Sequence, residues 1–185
     1  MSRPIYQTAQ DLKNQEGLIR QAVFKLNPLA PPKYTRSADL SSYDYSTEHP
    51  PIIFEVKKRK ILHNQYETYL ISAEKIDNLI ALGKENGVSS VLIVGWTDAW
   101  GWIPVFSPNP ETDTLEAMLG RGEVSVSDWG RTDRNDPFDV ERSYEWPVNR
   151  FLLYPYVEDF EREAFRIEEA MSEERAASVQ QPRQD

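Results

Sequence analysis

Asp44, Glu55 and Lys57 are the residues of this chain whose types and spacing best fit chemistry. Ten residues separate the aspartate from Glu55-Val56-Lys57. The run Ile52-Ile53-Phe54-Glu55-Val56-Lys57-Lys58-Arg59 follows Pro50-Pro51 and is apolar and β-branched in its first half, the composition of a strand. Side chains alternate across a strand, so Ile52, Phe54 and Val56 take one face while Glu55, Lys57 and Arg59 take the other. With Asp44 on a neighbouring extended segment, two carboxylates and an amine converge on one point.

Such a point suits a hard divalent cation. Mg²⁺ prefers oxygen ligands and keeps water and phosphate oxygens in its shell. Asp44 and Glu55 supply anionic oxygens, and the Val56 carbonyl supplies a neutral one; Mn²⁺ accepts the same donors. A metal held there lowers the pKa of a bound water and offsets charge on a phosphoryl group under attack. Lys57 is placed to orient or deprotonate that water, because like charge nearby disfavours its ammonium form.

Asp-x10-Glu-x-Lys, behind a helix that bears a glutamate, resembles the PD-(D/E)XK nuclease-like superfamily, whose core is that of restriction endonucleases and Holliday-junction resolvases. The resemblance spans roughly residues 8–105, with Tyr43 where the pattern usually has proline before the aspartate. It implies an α/β fold with a central mixed β-sheet flanked by helices. It implies a Mg²⁺- or Mn²⁺-dependent deoxyribonuclease, with DNA as the partner. Asp44, Glu55 and the Val56 carbonyl become the metal ligands, and Lys57 the catalytic amine. Glu16 becomes a further carboxylate, because the superfamily places a glutamate on its first helix near the metal.

The elements that must position these residues can be read in order. Residues 7–26 carry an apolar stripe at Leu12, Ile19, Val23 and Leu26. Glu16 falls beside Val23 on that stripe, where a carboxylate is costly unless paired, protonated or metal-bound. After the motif strand, residues 66–72 read as a short strand, with Ser72 as a side-chain cap for the next helix. That helix carries Ile76, Leu79, Ile80 and Gly83 on one face and ends at Gly87. Val91-Leu92-Ile93-Val94 reads as a central strand buried on both faces, followed by a turn near Asp98 and a strand ending near Val105.

At 185 residues, with no cysteine, the chain is long enough for a full core and excludes disulfides and cysteine-ligated zinc. It has no apolar run that would span a bilayer, and a cytoplasmic protein is the expectation. His49 and His63 have no metal-ligand partner at a suitable spacing. The net charge of −9 is unevenly spread. Residues 1–75 hold 11 Lys/Arg against 8 Asp/Glu, and residues 76–185 hold 10 against 22. Basic density peaks at Lys57-Lys58-Arg59-Lys60, where a phosphate beside the metal would lie. Lys58, Arg59 and Lys60 are therefore expected phosphate contacts. Lys75 joins them: a cation in the first turn of a helix opposes the helix dipole unless an anion is near.

The expected organisation is a nuclease-like core over residues 1–106 and a loop-rich insertion with a final strand over 107–157. An acidic amphipathic helix over 158–175 and a disordered tail over 176–185 complete the chain. Residues 114–119 read as a short helix and Phe151-Leu152-Leu153-Tyr154 as the last strand. The acidic helix allows two readings: docking onto the core, or engaging a protein partner or second copy through residues 158–174. The second supports an alternative function, a non-catalytic nuclease-like binding or assembly protein.

Overall fold

The computed structural model describes residues 9–27, 33–38, 41–130 and 140–157. The acidic helix and tail expected beyond residue 157 lie outside these residues. Helix α1 (Ala9–Leu26) is followed by strands β1 (Tyr34–Arg36), β2 (Tyr45–Glu48), β3 (Pro51–Lys58) and β4 (Thr68–Ser72). Helix α2 (Ala73–Asn86), β5 (Ser89–Gly95), β6 (Ala99–Phe106), helix α3 (Leu115–Gly120), β7 (Ser125–Gly130), β8 (Val140–Pro147) and β9 (Leu152–Pro155) complete it.

Six strands form a mixed sheet in the order β1-β2-β3-β5-β6-β9. β3 and β5 are parallel, joined through β4 and α2, and the other pairs are antiparallel. β3 and β5 lie at the centre because both are apolar on two faces. Ile52, Phe54, Val56, Val91 and Ile93 meet Leu18, Ile19, Ala22 and Val23 of α1. Ile53, Leu92 and Val94 meet Ile76 and Leu79 of α2 on the opposite face. Each such side chain, fully buried, contributes about 1.5–3 kcal/mol. α1 can sit this close because β5 ends in Gly95: a Cβ there would stand 2.7 Å from Leu18. α2 ends at Gly87 in the left-handed conformation, φ 65°, which glycine adopts without strain.

Two sequence expectations need correction. Ser72 precedes α2, but its side chain does not cap the helix, and its Oγ is buried with no hydrogen-bond partner among the described residues. It is the last residue of β4, registered opposite Ser143, so strand geometry sets its direction. The stretch from 107 to 147 is also less loop-like than expected. α3 is present, capped by Thr114 Oγ1 accepting from Ala117 N at 3.2 Å. β7 and β8 then pair with β4 in a second, three-stranded antiparallel sheet, order β4-β8-β7. Tyr144 and Trp146 of β8 join the core over α2, where Tyr144 OH donates to Asp77 Oδ1 at 2.8 Å. β9 closes the large sheet against β6, as expected. Among the described residues, no helix is long and apolar enough to cross a membrane.

Candidate active site

The site forms where β2 stops and β3 continues. Their last registered pair is Tyr45 with Phe54, and Asp44 N donates to Phe54 O at 2.9 Å. Beyond this point the main-chain groups of Val56 facing that side have lost their partner strand. Unpaired groups there would be costly, and two side chains take them. Val56 N–H donates to Asp44 Oδ2 at 2.8 Å, and Val56 C=O accepts from Gln15 Nε2 of α1 at 3.2 Å. Asp44 is therefore turned toward β3 and fixed there.

On the α2 side of β3, Glu55 is fully buried, at 0 % exposure. Lys57 Nζ stands 2.5 Å from Glu55 Oε1, and Lys75 Nζ of α2 stands 3.7 Å from the same atom. Both ammonium groups thus face Oε1, and among the described residues Glu55 Oε2 has no hydrogen-bond partner. Burial pushes the Glu55 carboxyl above the ordinary glutamate value; Lys57 and Lys75 pull it down, and Asp44 pushes it further up. For Lys57, burial alone would depress the ammonium, but the Glu55 and Asp44 carboxylates outweigh it and hold the group above the usual lysine value. Lys75 finds in Glu55 the anion that its place at the helix start calls for.

A fully buried carboxylate with one oxygen left without a partner among the described residues is a costly arrangement for a protein to keep. It fits a divalent metal, as does the donor set of Asp44, Glu55 and a main-chain carbonyl with a second lone pair beyond the one Gln15 uses. Among the described residues, no group of three or more His, Asp and Glu side chains is gathered as a cluster for a metal ion. The fit therefore rests on two carboxylates and the main chain.

Glu16 does not occupy the buried stripe. It is exposed, and its Oε1 accepts from Tyr34 OH at 3.4 Å. The buried stripe of α1 is Leu18, Ile19, Ala22 and Val23, so the residue one turn before its centre is Gln15. Sequence reasoning missed Gln15 by tracing the stripe through Leu12 and Leu26. Spacing from Leu18, Ile19 and Ala22 (three, four and seven residues) would have found it.

The basic run divides. Arg59 shares the face of Glu55 and Lys57, with its guanidinium 5.1 Å from the Tyr69 ring centre and Nη2 donating to Leu70 O at 3.1 Å. Lys58 lies over the Tyr156 ring, 5.2 Å from its centre. Lys60 is exposed beyond the end of β3. His63 pairs with Asp98: the Asp98 carboxylate accepts the His63 main-chain N–H at 2.9 Å, and its other oxygen stands 2.7 Å from Nδ1. Hydrogen bonds from the main chain and ring of His63 hold Asp98 below the usual aspartate value.

Sheet, helices and Glu-x-Lys strand together define a restriction-endonuclease-like α/β core, the architecture of a nuclease. The chain belongs to the family described as "Phage putative PDDEXK endonuclease", whose profile matches residues 1–153. That match runs past residue 106 and takes in the second sheet. Among solved structures the chain is similar to Hjc, a Holliday junction resolvase from the archaeal hyperthermophile Archaeoglobus fulgidus. Identity is 16%, coverage is 77% of this chain and 91% of that one, and the TM-score is 0.44. No curated protein matches the chain.

Proposed function

We propose that this endonuclease acts on DNA and hydrolyses its phosphodiester bonds with Mg²⁺ or Mn²⁺. The observation that carries the proposal is Glu55: a carboxylate wholly removed from water, flanked by Asp44, Lys57 and Lys75, whose Oε2 has no partner among the described residues. Asp44, Glu55 and the Val56 carbonyl would hold the metal. Bound there, it would supply an acidified water and offset charge on the phosphoryl oxygens.

The chain's own residues do the rest. Lys57 orients the attacking water and, once its carboxylate neighbours are neutralised, is the group able to take a proton. Lys75 faces the same carboxylate from the start of α2 and holds a phosphate oxygen. Asp44 is kept in place by Val56 N–H, and Gln15 steadies the Val56 carbonyl. Gln15, rather than Glu16, is the α1 residue we place at the site. Arg59 attracts the strand next to the cut, while Lys58 and Lys60 add longer-range attraction. The alternative of a non-catalytic assembly protein drew on residues 158–174, outside the described residues, and no contact among the described residues favours it.

The test is cleavage of single-stranded, duplex and branched DNA in Mg²⁺, Mn²⁺ or EDTA. Metal-dependent cutting is the expected result. A folded protein that cuts none of these substrates in either metal would overturn the proposal.

A further inference from the structure

Beside the site lies an open cleft of about 530 Å³, between the β3–β4 connection and the second sheet. Its volume falls in the range of small-ligand pockets, about 300–1,000 Å³. The lining is largely apolar, and two aromatic side chains in it are unusually bare: Tyr66 is 59 % exposed and Trp129 49 %. Trp129 is nonetheless held. Its Nε1 donates to Ser127 Oγ at 2.5 Å and to Glu145 Oε1 at 3.2 Å, and Ser127 Oγ donates to Glu145. An indole fixed through its only donor, with half its surface in water, is a ready stacking platform.

The cleft adjoins the reacting groups. Arg59, in its wall, is two residues beyond Lys57 and on the same face of the chain. Tyr69, also in the wall, carries the Arg59 guanidinium over its ring and lies within electrostatic reach of Lys57 and Glu55. Apart from Arg59 at the edge shared with the site, the lining is mostly aromatic and aliphatic, which suits a flat ring better than a second phosphate. Any base has a face that stacks on such side chains.

Building on the nuclease reading, we infer that this cleft takes an unpaired nucleobase of the DNA strand whose phosphate lies at Glu55 and Lys57, stacked on Trp129 and Tyr66. A base held in a duplex must first leave its stack to enter, which costs a few kcal/mol. DNA with unpaired nucleotides at the cut (single strands, flaps, junctions) is therefore the preferred substrate class over continuous duplex.

The test needs no turnover. In EDTA, the full chain is titrated with a short fluorescent single-stranded oligonucleotide and with copies carrying one abasic nucleotide at successive positions. Loss of a stacked base should weaken binding about 5- to 150-fold at one or two positions. Trp129→Ala and Tyr66→Ala, both at exposed side chains, should weaken binding to the intact oligonucleotide by a similar factor and no longer register the abasic position. Parent protein indifferent to every abasic position, or variants that keep the full abasic penalty, would overturn the inference. An abasic penalty in a protein that cuts no DNA in Mg²⁺ or Mn²⁺ would uphold the cleft and remove only the hydrolytic reading.

Discussion

The two faces of β3 do opposite work with the same backbone. Toward α1, Ile52, Phe54 and Val56 are sealed beneath Leu18, Ile19 and Val23, and close packing accounts for their place. Toward α2, Ile53 gives way to Glu55 and Lys57, where burial and charge oppose each other. The first face is stabilised by every atom it buries. The second keeps an anion where water would solvate it better, which is the condition under which a metal gains most by binding. A strand can thus spend one side on stability and hold strain on the other.

The comparison breaks most visibly at Phe54. Phe54→Ala should cost about 3–5 kcal/mol, seen as a much lower urea midpoint, because the cavity opens in the middle of the α1 interface. Glu55→Gln, one residue away, should abolish metal-dependent cleavage at a stability cost of about 1–2 kcal/mol, because Lys57 and Lys75 lose their carboxylate but keep access to water. A loss at Glu55 as large as that at Phe54 would mean that the carboxylate is structural. Arg59→Ala should cost about 1–2 kcal/mol, through loss of the Leu70 hydrogen bond and the Tyr69 contact.

A smaller effect belongs to the apolar side's rim. Burial pushes Tyr156 up to about 12, and its OH donates to Trp96 O at 2.7 Å. The unfolded phenol titrates near 10. The folded value is raised, so this stabilisation is complete below about pH 10 and is lost as pH rises toward 12. Thermal unfolding between pH 9 and 12 should show a decline that Tyr156→Phe flattens, by about 1–2 kcal/mol after allowance for partial exposure. An unchanged slope in the variant would assign the alkaline loss elsewhere.

Much of the core was legible because local composition and tertiary role agree there. Ile52 to Val56 and Val91 to Val94 are apolar wherever they point, and centrality follows. The Asp44 and Glu55-x-Lys57 spacing pointed to the candidate site because strand alternation puts Glu55 and Lys57 on one side, and Lys57 Nζ does stand beside Glu55. Gln15 was illegible for a different reason: its task is created by β2 ending early, a tertiary event that leaves the Val56 carbonyl without a strand partner. The second sheet was missed although Tyr144 and Trp146 point inward on either side of the less buried Glu145, as a strand requires. Surrounding Glu, Arg and Ser residues, and the proline- and glycine-rich segments before them, masked the signal. The division of Lys57 from Lys58 was implicit in the alternation, but the contact of Lys58 with Tyr156, far along the chain, was not.

Those adjacent lysines supply the sharpest measurement. Single-turnover cleavage of one DNA substrate in Mn²⁺ would be compared for the parent, Lys57→Ala and Lys58→Ala, with folding of each confirmed by circular dichroism. The role proposed for Lys57 predicts a rate at least about 100-fold lower for Lys57→Ala and within about threefold of the parent for Lys58→Ala. Equal losses in the two variants, or a fully active Lys57→Ala, would contradict it.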